Sequence, residues 1–148
     1  MKEIKFYKVH DDYGFMSNFA PYPFSDGSRL WPTSEHYFQA QKFIVPEIQE
    51  KIRQIVSPMD AALEGRNRQN PLRPDWEEVK DEVMLQALRM KFSQNPDIAK
   101  ELMATGDAIL IEHTRNDAYW ADGGDGSGMN KLGLLLMQVR EELKNATL

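Results

Sequence analysis

Acid, amide and base occur together in one short segment, Trp31-Pro32-Thr33-Ser34-Glu35-His36-Tyr37-Phe38-Gln39-Ala40-Gln41-Lys42-Phe43. Glu35, Gln39 and Lys42 stand at i, i+4 and i+7, so a helix here shows all three on one face. Thr33 or Ser34 suits the N-cap, where a hydroxyl takes a free N–H of the first turn. Pro32 keeps the entering chain extended. A carboxylate at Glu35 lies in the favourable field of the helix N-terminus. Tyr37, Ala40 and Ile44 fall on another face and can pack. Two readings follow: a first-turn acid with a solvated lysine two turns on, or a paired acid and base available for chemistry.

A second cluster is Asp117-Ala118-Tyr119-Trp120-Ala121-Asp122-Gly123-Gly124-Asp125-Gly126-Ser127-Gly128-Met129-Asn130. Its glycines let backbone approach a ligand closely. It leads into a helix N-terminus, where free N–H groups favour an anion. Trp120 is either a core plug or a platform for a planar ring. The loop has neither the Gly-Lys-Ser/Thr ending of a P-loop nor a Gly-x-Gly-x-x-Gly fingerprint. Its aspartates lack EF-hand spacing, and His10, His36 and His113 show no paired ligand spacing, so no metal is expected. A third patch, Gly65-Arg66-Asn67-Arg68 with Arg73 and Lys80 beyond it, gathers cations suited either to phosphate or to solvent. Asn18-Phe19 offers an amide and an aromatic wall, or simply turn and core.

These groups need elements to hold them. The pattern predicts one domain over residues 1–148 with about six helices and a few short strands. Ile4 to Val9 and Ala108 to Glu112 are the strand candidates, and Asp26-Gly27 marks a small hairpin between Phe24 and Trp31. Met16 to Pro21 reads as an irregular, unusually aromatic loop. After the Glu35 helix, Pro46 opens a second, with Ile48, Ile52 and Ile55 on one stripe. Ser57-Pro58 caps a third that stops near Gly65. Asp75-Trp76-Glu77-Glu78 fits a capping-box start for a long fourth. Asn95-Pro96 caps a fifth, and a last helix runs from about Asn130 to Lys144.

The net charge of −5 argues against a general nucleic-acid binder, though a local basic cluster can still hold one nucleotide-sized ligand. The chain has no cysteine, which excludes disulfides, thiolate catalysis and Cys-ligated metals. With no apolar signal region and no run long enough to span a bilayer, a cytoplasmic protein is expected.

Taken together and in order, Ser17-Asn18-Phe19, the segment from Trp31 to Phe43, Gly65-Arg66, Asp75-Trp76, Val79-Lys80, Lys91-Phe92, Asp117-Ala118-Tyr119-Trp120 and Gly128-Met129-Asn130-Lys131-Leu132-Gly133 with Leu136-Met137 and Arg140 resemble the YbiA-like, or NADAR, family. The likeness runs from about residue 5 to residue 143. It implies a mainly helical α+β domain that hydrolyses N-glycosidic bonds without a cofactor. The bacterial members most similar to this chain look like N-glycosidases of the first two phosphoribosylated intermediates of riboflavin synthesis. Other members remove ADP-ribose from guanine bases. The family commonly carries glycine after the Tyr-Trp pair, where this chain has Ala121, whose Cβ would crowd the loop.

Breaking a ribose C1–N bond builds positive charge on C1 and the ring oxygen, which a carboxylate and an oriented water relieve. Under the resemblance Glu35 is the expected acid, with Asp122 second, orienting sugar hydroxyls or helping the leaving base. Lys42 offers a Schiff-base route through ring-opened ribose. Arg66, with Arg68 or Lys80, is expected to hold the 5′-phosphate, and Trp120 to stack on the base or exclude solvent. Asn18 and Asn130 are expected on the sugar or base edge, with Phe19, Trp76 and Tyr119 completing the substrate-binding set. The expected partner is a small phosphoribosyl molecule. The alternatives are an ADP-ribosyl-guanine glycohydrolase, the one form in which nucleic acid enters, and a non-catalytic sensor of an ADP-ribose-like ligand.

Overall fold

Two strands from opposite parts of the chain meet side by side. In the computed structural model, which describes residues 2–147, β1 (Glu3–Phe6) pairs in parallel with a strand at Ile109–Glu112, placing Ile4 opposite Leu110 and Phe6 opposite Glu112. Between them come β2 (Phe24–Ser25) and β3 (Leu30–Trp31), an antiparallel hairpin closed by Asp26, whose carboxylate accepts N–H bonds from Ser28, Arg29 and the Trp31 indole. Five helices follow: α1 (Ser34–Ala40), α2 (Pro46–Arg53), α3 (Pro58–Gly65), α4 (Trp76–Gln94) and α5 (Pro96–Ala104). The Ile109–Glu112 strand is β4, and α6 (Lys131–Ala146) ends the described chain. Six helices and two small strand pairs match the expected mainly helical α+β class. No helix among the described residues is long and apolar enough to cross a membrane.

Two apolar clusters hold these elements. One joins β1, β4 and α4–α6 through Phe6, Met84, Leu88, Phe92, Leu102, Leu110, Leu132 and Leu136. The other joins the hairpin to α1–α3 through Phe24, Trp31, Phe43, Ile52 and Ala61. Helix α1 belongs to both, with Phe38 in the first and Ala40 in the second. Gly133 lets α6 lie directly on β4: a Cβ there would stand 2.0 Å from the Leu110 carbonyl oxygen.

Several local expectations change. The capping box at Asp75 does not form, because Arg73 takes both carboxylate oxygens at 2.6 and 3.0 Å. Asn95 caps no helix by its side chain; its amide donates to the Pro23 and Lys91 carbonyls. The aromatic segment before Pro21 begins in the core: Gly14–Met16 forms a buried 3₁₀ turn, and Ser17 and Asn18 are buried as well. Lys91 of α4 pins it. That side chain is fully buried and donates to the Ser17 carbonyl at 3.0 Å.

No carboxylate pairs with Lys91 among the described residues, and burial pulls its amine down to about 7. The Ser17 carbonyl also accepts the Ala20 N–H at 3.1 Å, so it stays bonded without the lysine. Lys91→Met is therefore expected to leave the protein as stable at pH 7 as the parent, or more stable by roughly 1–3 kcal/mol. Between about 7 and 10.5 the unfolded lysine binds a proton that the folded one has released, so parent stability rises with pH across that window and the variant's does not. Urea melts at pH 7 and 10 measure both effects. A destabilised variant with the same pH slope as the parent would contradict them.

Candidate active site

Helix α1 is only seven residues long, yet Ser34, Glu35, His36 and Gln39 are all buried in it. Its start is locked from several sides. Thr33 caps it by accepting the His36 N–H at 3.1 Å. The His36 ring reaches the Ile55 carbonyl at 2.8 Å, which requires the proton on Nε2, and Nδ1 then accepts the Thr33 hydroxyl at 2.7 Å. Burial lowers the affinity of this ring for a second proton. The Asn18 carbonyl accepts the Glu35 N–H at 3.1 Å, and its side-chain oxygen accepts the Ser34 hydroxyl at 2.7 Å. Because α1 stops at Ala40, Ile44 lies beyond it and is exposed rather than packed as expected, while Tyr37 and Ala40 do pack.

Glu35 and Gln39 share a face of α1 as expected and Lys42 lies two residues beyond its end, but none of the three is wet: all are at least nine-tenths buried. Gln39 Nε2 donates to Glu35 Oε2 at 2.7 Å and so orients the carboxylate. Gly65 of α3 presses against the same amide, and a Cβ there would fall 2.0 Å from Gln39 Oε1. That oxygen is the one fully buried side-chain polar atom left without a partner among the described residues. An orphan acceptor costs stability and often marks a site shaped for something other than folding. Glu35 Oε1 and the Lys42 amine also lack an intramolecular bond among the described residues, but neither is sealed in, so each meets accessible space.

Burial raises the Glu35 carboxyl; the Gln39 bond and the charges of Lys42 and Arg66 oppose this. Burial, followed by the Arg68 charge, pulls the Lys42 amine down to about 8, against the pull of Glu35. Acid and amine thus sense each other without forming an ion pair.

Aromatic rings wall this pair. Phe38 stands edge-on between Trp76 and Trp120, with centroids 5.1 and 5.3 Å away, and Tyr119 abuts Trp120 at 4.9 Å. The Lys42 amine lies 5.8 Å from the Phe38 centroid and 6.0 Å from that of Trp76. Trp120 packs against the core and keeps part of its surface exposed. Arg66 and Arg68 are exposed beside Lys42, and Arg68 donates to the Gly65 carbonyl at 3.0 Å. Phe19 is half-buried and stands outside both apolar clusters, and Asn18 keeps only a 3.5 Å contact to the Met84 sulfur for its amide N–H.

Three expected roles do not fit the geometry. Lys80, expected near phosphate, pairs with Glu77 at 2.7 Å and lies 4.0 Å over the Tyr119 ring, whose hydroxyl donates to Asp81. Asn130, expected on the substrate, spends both ends of its amide on β4, accepting the Glu112 N–H and donating to the Leu110 carbonyl. Asp122 is the third. Its carboxylate accepts from Thr114 N–H, Gly124 N–H and His113 Nδ1 at 3.1, 2.9 and 2.7 Å, which makes it the organiser of its own loop. Burial would raise that carboxyl, but these donors and the His113 charge hold it below the usual carboxylate range. The α6 N-terminus is closed to anions as well, because the N–H groups of Asn130, Lys131 and Leu132 donate to the carbonyls of Ala121, Tyr119 and Trp120. Ala121 is fully buried, so the loop closes with a methyl at that position.

Two acids not in the expected set complete the picture. Asp117 accepts the Tyr119 and Trp120 N–H groups at 2.8 Å and so sets the indole. Glu112 ends β4, half-buried, and its carboxyl makes no hydrogen bond among the described residues. Burial first, then Asp117, Glu35 and Asp122, push it up to about 8. A polar residue closing the apolar run Ile109-Leu110-Ile111 was the available signal.

A buried acid and an unpaired amine against a row of rings have the chemistry for hydrolysis or imine formation. The chain belongs to the NADAR family: the NADAR domain model matches residues 5–144. It is 56% identical over 140 residues to N-glycosidase YbiA of Escherichia coli, covering 95% of this chain and 88% of that protein. An N-glycosidase of Nostoc punctiforme is 41% identical over 145 residues, covering 96% and 93%. A riboflavin biosynthesis protein of Vibrio vulnificus is 45% identical over 141 residues, covering 95% of this chain and 38% of that one. The solution structure of E. coli YbiA superposes with a TM-score of 0.91 at 53% identity, covering 99% of this chain and 87% of that one.

Proposed function

We propose that this enzyme, an N-glycosidase of the NADAR family, hydrolyses the ribose C1–N bond of ribosylaminopyrimidine 5′-phosphates, the first phosphoribosylated intermediates of riboflavin synthesis. The products are ribose 5-phosphate and the free aminopyrimidine. One observation carries the reading: Glu35 is buried, oriented by Gln39 and open at Oε1, with the unpaired Lys42 amine beside it. Glu35 faces the positive charge that grows at C1 and orients the attacking water. Lys42 supports a second route, in which the ring-opened sugar passes from the base nitrogen to Nζ as an imine that water then cleaves. Trp120 and Trp76 wall the base, and Arg66 with Arg68 takes the phosphate.

The relatives named for riboflavin biosynthesis support this substrate class. The net charge of −5 weighs against a polynucleotide substrate. The competing reading, removal of ADP-ribose from guanine, breaks the same kind of bond. Offering the purified protein both substrates side by side separates the two. Release of ribose 5-phosphate from the aminopyrimidine riboside phosphate is expected, at least ~100-fold faster than release of ADP-ribose from ADP-ribosylated guanosine. The reverse order would replace this reading, and binding of both without turnover would make the protein a sensor.

A further inference from the structure

We propose that Glu112 is the general acid of this site: its carboxyl, free of hydrogen bonds at the end of β4 and carried against the Trp120 loop by the bond from the Asp122 N–H to its own carbonyl, gives the leaving base nitrogen its proton as the ribose C1–N bond breaks. The inference rests on the N-glycosidase reading above and assigns to Glu112 the task that the loop-bound Asp122 is not free to perform. The backbone of Glu112 is held at both ends. Its N–H donates to Asn130 Oδ1 at 3.0 Å, and its carbonyl accepts the Asp122 N–H at 2.9 Å. A strand so fixed holds the half-buried side chain well for precise work, and its carboxyl accepts no hydrogen bond within the described chain.

The two acids of the site have opposed surroundings. Glu35 has the Gln39 N–H bond and the charges of Lys42 and Arg66 to support its anion. Burial acts most on Glu112, and the charged groups that add to it are carboxylates: Asp117, Glu35 and Asp122. His113, next along the chain, is turned to Asp122. Like charges sharing a site retain one proton between them, and it resides on the acid with less support. Paired carboxyls pushed apart in this way divide acid and base work. In the reaction, the C1–N electron pair passes to nitrogen, which takes the Glu112 proton. C1 receives water directly, or Lys42 Nζ followed by water. Water thus supplies OH to the sugar and, through solvent, the proton that restores Glu112.

The test compares two leaving groups. A ribosylaminopyrimidine 5′-phosphate needs protonation to depart; 4-nitrophenyl β-ribofuranoside 5-phosphate does not. Glu112→Gln is expected to lose at least ~100-fold on the first and to stay within ~3-fold of the parent on the second. The parent's decline in kcat/KM above pH about 8 on the first substrate should vanish in this variant. Glu112→Asp should keep part of the rate and keep the decline. Equal losses on both substrates, or an alkaline decline that persists in Glu112→Gln, would overturn the assignment. If Glu112→Gln does not fold, the parent decides alone, because an alkaline decline of equal size on both substrates excludes an acid acting on the leaving group. If the parent spares the aminopyrimidine substrate altogether, the riboflavin reading fails, and the same comparisons on ADP-ribosylated guanosine judge Glu112 separately.

Discussion

Glu35→Gln is expected to lower turnover by at least ~100-fold in a protein that folds and melts at or above the parent's temperature. The two halves of that result have one cause. Burial raises the Glu35 carboxyl, so its ionised form weakens the folded state. Below the ordinary carboxylate range both states are protonated and nothing is lost. As pH rises through the raised value, the folded protein gives up a proton at a cost the unfolded chain does not bear, and stability falls. Glutamine keeps the shape, leaves Gln39 a carbonyl to bond, and removes the charge. Chemistry should suffer for the same reason, because that charge is what faces the electron-poor C1. In the parent, activity on the acid side should drop at a pH above the usual carboxylate value, and the variant should show no such limb. Paired measurements of melting temperature and kcat at pH 7 check the claim. Near-normal turnover in Glu35→Gln would remove Glu35 from the mechanism.

Lys42 should give the second large effect. With its amine pulled down to about 8, roughly a tenth is neutral at pH 7, some hundreds of times more than in an ordinary lysine. It has no carboxylate to release and two aromatic rings beside it, so a carbon at the aldehyde level meets a ready nucleophile. Borohydride added during turnover is expected to fix the sugar phosphate on Lys42, seen as an added mass on the peptide that carries it. Lys42→Arg retains a cation but cannot form the imine; where the imine route carries the flux, at least a ~1000-fold loss is expected, with no trapped adduct. An unmodified parent, together with substantial activity in Lys42→Arg, would leave Lys42 an electrostatic neighbour and favour direct attack by water.

Local rules made much of the architecture legible. The Thr33 and Ser57 caps, the Asp26 turn and the proline starts of α2, α3 and α5 rest on interactions within a few residues, and they form where spacing puts them. The expectations that failed are those with remote competitors. Arg73 took Asp75 from its capping box, and β4 took the Asn130 amide. Lys80 followed Glu77 and Tyr119 away from the phosphate role. Lys91 lies on an otherwise apolar helical stripe, and only packing could reveal that its amine supports Ser17.

The order of residue types alone determined that Glu35 and Gln39 share a helical face, that a tryptophan loop precedes a last helix, and that cations gather after Gly65. Helical geometry and turn chemistry act over short range, so no tertiary knowledge is needed for these. Which acid is bonded away and which is free, Asp122 or Glu112, was decided only when β4, the loop after it and α1 came together. So was the change of Glu35 and Lys42 from a wet surface pair to a buried, mutually tuned one. Desolvation and charge–charge coupling set proton affinity, and both depend on neighbours that lie far away along the chain.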